Sequence, residues 1–283
     1  MLCDLHTHSC CSPDADSTAT IEKMALCAGK LGIDHLTVTD HCDCNFWYRE
    51  DETEYPEYQK PDSMMFGSRI YAAESISRIA ELKQRFPGLL CGIELGQPLQ
   101  QPEAAGCILA REELDMVIGS LHMNSGKPDF YLMQYKKMDS SEIYSLLDSY
   151  FSELLEMCRQ CSFDVLAHLT YPMRYIEGEC GISVDMKRYD DIIREIFCTL
   201  RDNGKALEIN TSGLRQPYGL TFPHIGYIKL FRSLGGELIT LGSDAHRLED
   251  IGKGIEEGAA LAREAGFRYA AVFKQRKPEL YKL

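Results

Sequence analysis

The sequence predicts an α/β fold in a single domain, 1–283, built on a parallel sheet. Three observations lead there. Short apolar runs rich in Val, Ile and Leu alternate with stretches of helical period. No Pro/Gly/Ser-rich linker and no internal repeat divides the 283 residues. Six of the eight histidines sit at the C-terminal ends of the apolar runs, where parallel α/β folds place their sites.

Each element has its own signal. Leu2–His6 is the first expected strand. Helix Thr20–Leu31 stops at Gly32, a residue that readily takes the left-handed helix end. Strand His35–Thr39 leads into Asp43–Gly67, a long connection with seven acids, two bases, three Tyr and the only Trp, Trp47. A connection of that length is usually functional or mobile. It reads either as a solvated excursion or as a lid over a site. Helix Ser68–Phe86 closes at Pro87-Gly88 before strand Leu89–Glu94, and Met116–Ser120 is the fourth strand. Helix Ser140–Gln160 places Ile143, Leu146, Leu147, Tyr150, Leu154 and Met157 near the 3.6-residue period. Strand Val165–Ala167, helix Asp185–Asn203 ending at Gly204, and strand Ala206–Ile209 follow. Helix Pro223–Leu234 opens on a proline, whose fixed φ suits a first turn. Strand Leu238–Leu241, helix Ile251–Ala265 and a short eighth run, Tyr269–Phe273, complete the chain.

Composition narrows the function classes. Thirty Lys+Arg against 43 Asp+Glu give a formal charge of −13. That balance argues against a nucleic-acid binder with a broad basic face, though not against a local pocket for one phosphate. No apolar run approaches the roughly 18 residues of a membrane span. The N-terminal Met1–His6 has neither a basic nor an apolar signal region, so a cytoplasmic protein is expected. The twelve cysteines then read as reduced thiols. A zinc–thiolate site seeded by Cys42/Cys44 or Cys158/Cys161 is the alternative, but neither pair has a second pair at finger spacing.

The chemistry lies at the strand ends. His6 and His8, two residues apart, point to the same side of one strand and can reach one metal. Asp14, His41, Glu94, His122, His168, Asp244 and His246 all fall at or after strand ends. Any one of these histidines alone would read as a hydrogen-bonded core or loop residue; the set does not. His35 starts a strand and is assigned to packing, and His224 is left without a role. Nine N/O donors exceed one tetrahedral zinc and suit two or three divalent ions, with Glu94 able to bridge. Imidazole and carboxylate accept Zn, Mn or Fe alike. Such a cluster acidifies bound water and holds the oxygens of a displacement at phosphorus.

Asp4-Leu5-His6-Thr7-His8, Thr39-Asp40-His41 and Gly242-Ser243-Asp244-Ala245-His246 resemble the polymerase-and-histidinol-phosphatase (PHP) superfamily. A narrower resemblance, to the histidinol-phosphate phosphatase family, rests on Ala206–Arg215, His168–Tyr175 and the closing Gly266-Phe267…Arg276-Lys277-Pro278. Two positions depart from the family pattern. Thr170 stands where an Asp is common, and Asp14 where some members have His. The resemblance implies a distorted (β/α)7 barrel with a trinuclear metal centre. It implies one metal on His6, His8, Glu94 and Asp244, a second on Glu94, His122 and His168, and a third on Asp14, His41 and His246. A hydroxide between the first two would attack phosphorus in line, with Asp244 or His246 protonating the leaving alkoxide. The implied substrate is a small phosphorylated molecule, L-histidinol phosphate.

Phosphate needs fixed positive donors. Arg215 and Arg174, in loops after the sixth and fifth strands, are the candidates, a surface salt bridge being the alternative for each. Other readings stay open: a PHP phosphoesterase for nucleotides, nucleic-acid ends or phosphotyrosine; a non-catalytic metal-binding regulatory domain; and an amidohydrolase-type hydrolase, disfavoured because no Lys ends a strand. The oligomeric state is not legible in the sequence.

Overall fold

A computed structural model describes residues 1–45 and 68–283. Most of the Asp43–Gly67 connection, and with it the lid reading, lies outside the described residues. The strands are β1 (Cys3–Thr7), β2 (His35–Val38), β3 (His41–Asp43), β4 (Leu89–Gly96), β5 (Met116–Ser120), β6 (Val165–Leu166), β7 (Ala206–Asn210) and β8 (Ile239–Gly242). All pair in parallel, in the order β1-β2-β4-β5-β6-β7-β8, with β3 paired to β4. A bridge joins Thr7, the last residue of β1, to Ala245, just past β8, and the sheet becomes a nearly closed seven-stranded barrel. Strands β1, β4, β5, β6, β7 and β8 are buried at every residue, as strands covered on both faces must be.

Helices α1 (Ile21–Leu31), α2 (Ser68–Leu82), α3 (Pro102–Leu109), α4 (Ser140–Gln160), α5 (Asp190–Asp202), α6 (Ile225–Ser233) and α7 (Ile255–Glu264) connect the strands. In α4 the expected stripe is buried, and Asp139 with Glu142 forms a reciprocal capping box that satisfies its first N–H groups. Among the described residues no helix is long and apolar enough to cross a membrane.

Several features depart from the sequence reading; helices α5 and α7 start at Asp190 and Ile255, later than the expected Asp185 and Ile251. Strand β3 is new: β4 is long enough to pair with β2 at Leu89–Cys91 and with β3 at Glu94–Gly96. That change of partner sets His41 opposite Glu94. Helix α3 is also new, one short segment opened by Pro102. Helix α6 starts two residues late, because His224 is its N-cap, with Nδ1 accepting the Gly226 N–H at 3.0 Å. His224 therefore has a structural role.

The eighth apolar run does not join the barrel. It forms β9 (Tyr269–Lys274), paired antiparallel with β10 (Lys277–Lys282). The two-residue turn, Gln275-Arg276, has positive φ at both positions, the geometry that matches hairpin twist but usually calls for Asn-Gly. Tertiary contacts hold it. The Arg276 N–H donates to the Asp115 carbonyl at 2.9 Å, and the Arg276 guanidinium pairs with Asp164. Asp115 and Asp164 immediately precede β5 and β6, so this turn docks on the N-terminal end of the barrel.

Candidate metal centre

At the opposite end the strand termini bring histidines and carboxylates together. His6 and His8 leave β1 with their Nε2 atoms 3.1 Å apart. Their other ring nitrogens are committed. His6 Nδ1 is 2.6 Å from Glu208 Oε1, and His8 Nδ1 is 3.1 Å from Ser12 Oγ, whose own proton goes to Asp40 at 2.7 Å. These partners assign Nδ1 as the donor on both rings, so both Nε2 lone pairs face one space. Two facing lone pairs call for a cation between them, whether a proton or a metal ion.

Asp244 Oδ1 completes this group, 3.7 Å from His6 Nε2 and 3.4 Å from His8 Nε2. Glu94 stands between two groups. Its Oε2 is 3.5 Å from the Nε2 atoms of both His6 and His8, and 2.9 Å from His41 Nδ1. Its Oε1 is 3.0 Å from His122 Nε2 and 2.9 Å from His168 Nε2. Each oxygen thus faces a different set of imidazoles. Asp14 Oδ2 lies 3.4 Å from His41 Nε2 and 3.1 Å from His246 Nε2, with its side chain 60% exposed at the outer edge. The structure brings all nine sequence-named donors into one continuous cluster.

Burial opposes charge on His6, yet the carboxylates of Glu208, Glu94 and Asp244 hold its pKa well above the usual imidazole value. Burial, with His246 and His41 nearby, drives His8 well below it. Burial would raise Glu94, but His122, His6 and His41 hold it well below the usual carboxylate range. The cluster draws positive charge inward. Its donors suit divalent metal ions: His6, His8 and Asp244 form one compact group, Glu94, His122 and His168 another, and His8, His41 and His246 a third. A fourth group, His41, Asp43 and His122, includes an acid that the sequence reading does not name. Among the described residues no cysteine joins such a group. Burial pushes the thiols of Cys3, Cys91 and Cys158 up to about 12, which disfavours thiolate ligation.

Several supporting residues also escape the sequence reading. Glu208, mid-strand in β7, accepts the His168 N–H at 2.8 Å besides holding His6. Asp4 accepts from the Ser243 N–H at 2.8 Å and the Gly252 N–H at 2.8 Å, fixing the turn that carries Asp244. Asp244 has φ 54, a left-handed conformation costly for most side chains but tolerated by Asp. Gly242 is required just before it, because a Cβ there would lie 2.4 Å from His6 Cβ and 2.5 Å from Glu208 Oε1.

The two arginines differ. Arg215 donates to the carbonyls of Ser243 at 2.7 Å and Asp244 at 2.9 Å, so its terminal nitrogens clamp the strained turn. Arg174 opens a π-helical turn, Arg174–Glu179. It reaches Asp244 Oδ2 at 3.0 Å and Ser212 Oγ at 2.9 Å, while its buried Nε has no hydrogen-bond partner among the described residues.

A family model described as the PHP domain matches residues 4–212, from just before His6 to the loop after β7. The chain belongs to the PHP family. A Thermotoga maritima relative named "Probable histidinol-phosphatase" is 39% identical over 127 residues, 45% of this chain and 52% of that protein. The histidinol-phosphatase of Lactococcus lactis is 27% identical over 282 residues, covering 97% of this PHP chain and 95% of the relative. A crystal structure of histidinol phosphate phosphatase from Lactococcus lactis, complexed with Zn, L-histidinol and phosphate, superposes with a TM-score of 0.76 at 24% identity, covering 98% of each chain. That likeness shows the same barrel fold across 98% of the chain, beyond the family match.

Proposed function

We propose that the protein is a metal-dependent phosphomonoesterase that hydrolyses L-histidinol phosphate to L-histidinol and phosphate. The observation that carries the reading is Glu94, whose two oxygens face two separate imidazole groups. The names of the full-length relatives supply the substrate. His6, His8, Glu94 and Asp244 would hold one ion, Glu94, His122 and His168 a second, and Asp14, His41 and His246 a third. The donor set admits Zn, Mn or Fe. Bound ions of this kind supply Lewis acidity and a more acidic water.

The chain's own residues do the rest. Arg174 is the primary phosphate ligand, since its Nε is unpartnered and its guanidinium lies beside Asp244. Arg215 has a supporting role, holding the Asp244 turn. His246 lies nearer the mouth than buried Asp244, whose Oδ2 is engaged by Arg174. The leaving alkoxide would take up a proton from Asp244 or His246, whichever of the two is not committed to an ion. A small zwitterionic substrate suits an acidic protein that lacks a broad basic face, and cytoplasmic amino-acid biosynthesis suits twelve free thiols.

The test is turnover by the purified protein with Mn or Zn. Phosphate release from L-histidinol phosphate should exceed that from p-nitrophenyl phosphate by orders of magnitude. Asp244→Asn should lose most of the rate with the fold intact. Equal rates on both esters would remove the substrate assignment and favour a broader PHP phosphoesterase. An unchanged rate in Asp244→Asn would place the activity elsewhere.

A further inference from the structure

We propose that Ser12 is a positioning residue whose one hydroxyl couples two candidate ion sites, the His6–His8–Asp244 group and the outer group of Asp14, His41 and His246. This rests on the metal-centre part of the reading above and extends it to how the ions are held relative to one another. Ser12 lies between β1 and α1 and is only 2% exposed. Its backbone is fixed by a turn: its N–H donates to the Ser9 carbonyl at 2.9 Å, and its carbonyl accepts the Ala15 N–H at 3.1 Å. A serine hydroxyl has one proton and two lone pairs. Here the proton goes to Asp40 Oδ1 at 2.7 Å. Asp40 serves only as an acceptor, because the Ser9 N–H at 2.7 Å, the Ser9 hydroxyl at 2.6 Å and the Ser75 hydroxyl also converge on its two oxygens. Both lone pairs of Ser12 Oγ are therefore left to accept, one from His8 Nδ1 at 3.1 Å and one from the His41 N–H at 3.1 Å.

One buried oxygen thus fixes the ring of His8 and the backbone of His41. The two rings stack with centroids 4.2 Å apart, and His8 also stacks on His246 at 4.1 Å. His8 belongs both to the group with His6 and Asp244 and to the group with His41 and His246. Asp14 follows Ser12 by two residues in the same loop and faces His41 and His246. Loss of the hydroxyl frees the His8 ring to turn and loosens the start of β3, which carries His41, so it acts on two ions at once. Among the described residues, Ser12 makes no hydrogen bond to Glu94, His122 or His168. Ser75, on α2, provides the contrast. Its hydroxyl donates to the same Asp40, and among the described residues it hydrogen-bonds to no candidate ligand.

The full chain is stripped of metal, reloaded with Mn and titrated with a chelator while bound ions are counted by elemental analysis. His246→Ala and His168→Ala mark the outer ion and the Glu94–His122–His168 ion in that titration. Ser12→Ala should loosen the outer ion and the His6–His8–Asp244 ion by about 10- to 100-fold each and leave the remaining ion within about threefold. Ser75→Ala should leave every ion within about threefold. One ion loosened alone, none loosened, or equal loosening in Ser75→Ala overturns the proposal. A wild type that holds no ion on the outer group overturns it too. A second measurement decides even if Ser12→Ala does not fold. In the ion-free wild type with isotope-labelled histidine, NMR should show the His8 proton on Nδ1, and a proton on Nε2 overturns the proposal. Turnover of L-histidinol phosphate is measured in parallel. Its absence in an ion-loaded wild type overturns the phosphatase reading and leaves the coupling of the two sites standing.

Discussion

Both ends of the barrel bury acids but treat them differently. At the N-terminal end, Asp115 Oδ2 takes Lys83 Nζ at 2.6 Å and the Cys91 N–H at 2.8 Å. Asp164 takes Arg276 and, at 2.7 Å, the Val117 N–H. Each has a permanent cation of the protein's own plus a backbone donor. At the C-terminal end, among the described residues, buried Glu94 and exposed Asp14 pair only with imidazoles, and Asp244 pairs with imidazoles and Arg174. Imidazole gives up its proton near neutral pH and then offers a lone pair, so these acids can exchange a proton for a metal. Burial does not distinguish scaffold from site here; the kind of counter-charge does.

The comparison is sharpest at Glu94. Glu94→Gln should lower turnover of L-histidinol phosphate by about a thousandfold or more and reduce the bound metal found by elemental analysis, while circular dichroism stays native. Retained metal and rate would break the contrast at its centre. Glu208→Gln is the intermediate case. It keeps the shape but weakens the acceptor on His6 Nδ1, so metal affinity should fall about 10- to 100-fold in a chelator competition. Asp164→Ala acts at the other end. It should cost about 2 kcal/mol in urea unfolding, below the full value for a buried pair because Arg276 is 25% exposed. Its kcat/KM should stay within about twofold of wild type, since nothing at the catalytic end touches it. A large loss of turnover there would show that the two ends are coupled.

Much of this contrast is legible in the amino-acid sequence. Alternating apolar runs set out the barrel, and histidines at the run ends mark the reactive face. What escapes has physical reasons. Strand β3 is three residues long, too short for any period to register. Strand β10 carries Lys, Glu and Pro on an exposed edge and lacks a strand's usual composition. Glu208 does carry a signal, a charge inside an otherwise apolar strand, which needs a buried partner. Arg215 shows the converse. Its expected place in a loop on the reactive face is right, but no local pattern reveals that its guanidinium is held by two backbone carbonyls.

The seam between β1 and β8 ties this chemistry to biosynthesis of the chain itself. Asp4 reaches Ser243 across 239 positions, and the His6 carbonyl accepts the Asp244 N–H at 2.7 Å. His6 and His8 leave the ribosome long before Asp244 and His246 are even added. A nascent chain therefore cannot assemble the His6–His8–Asp244 group until β8 and the turn after it have emerged. Under the proposed function, ion capture at that group would be reserved for chains that hold every barrel strand. An ion held there would act as a latch on the seam, favouring the closed barrel by its own binding free energy.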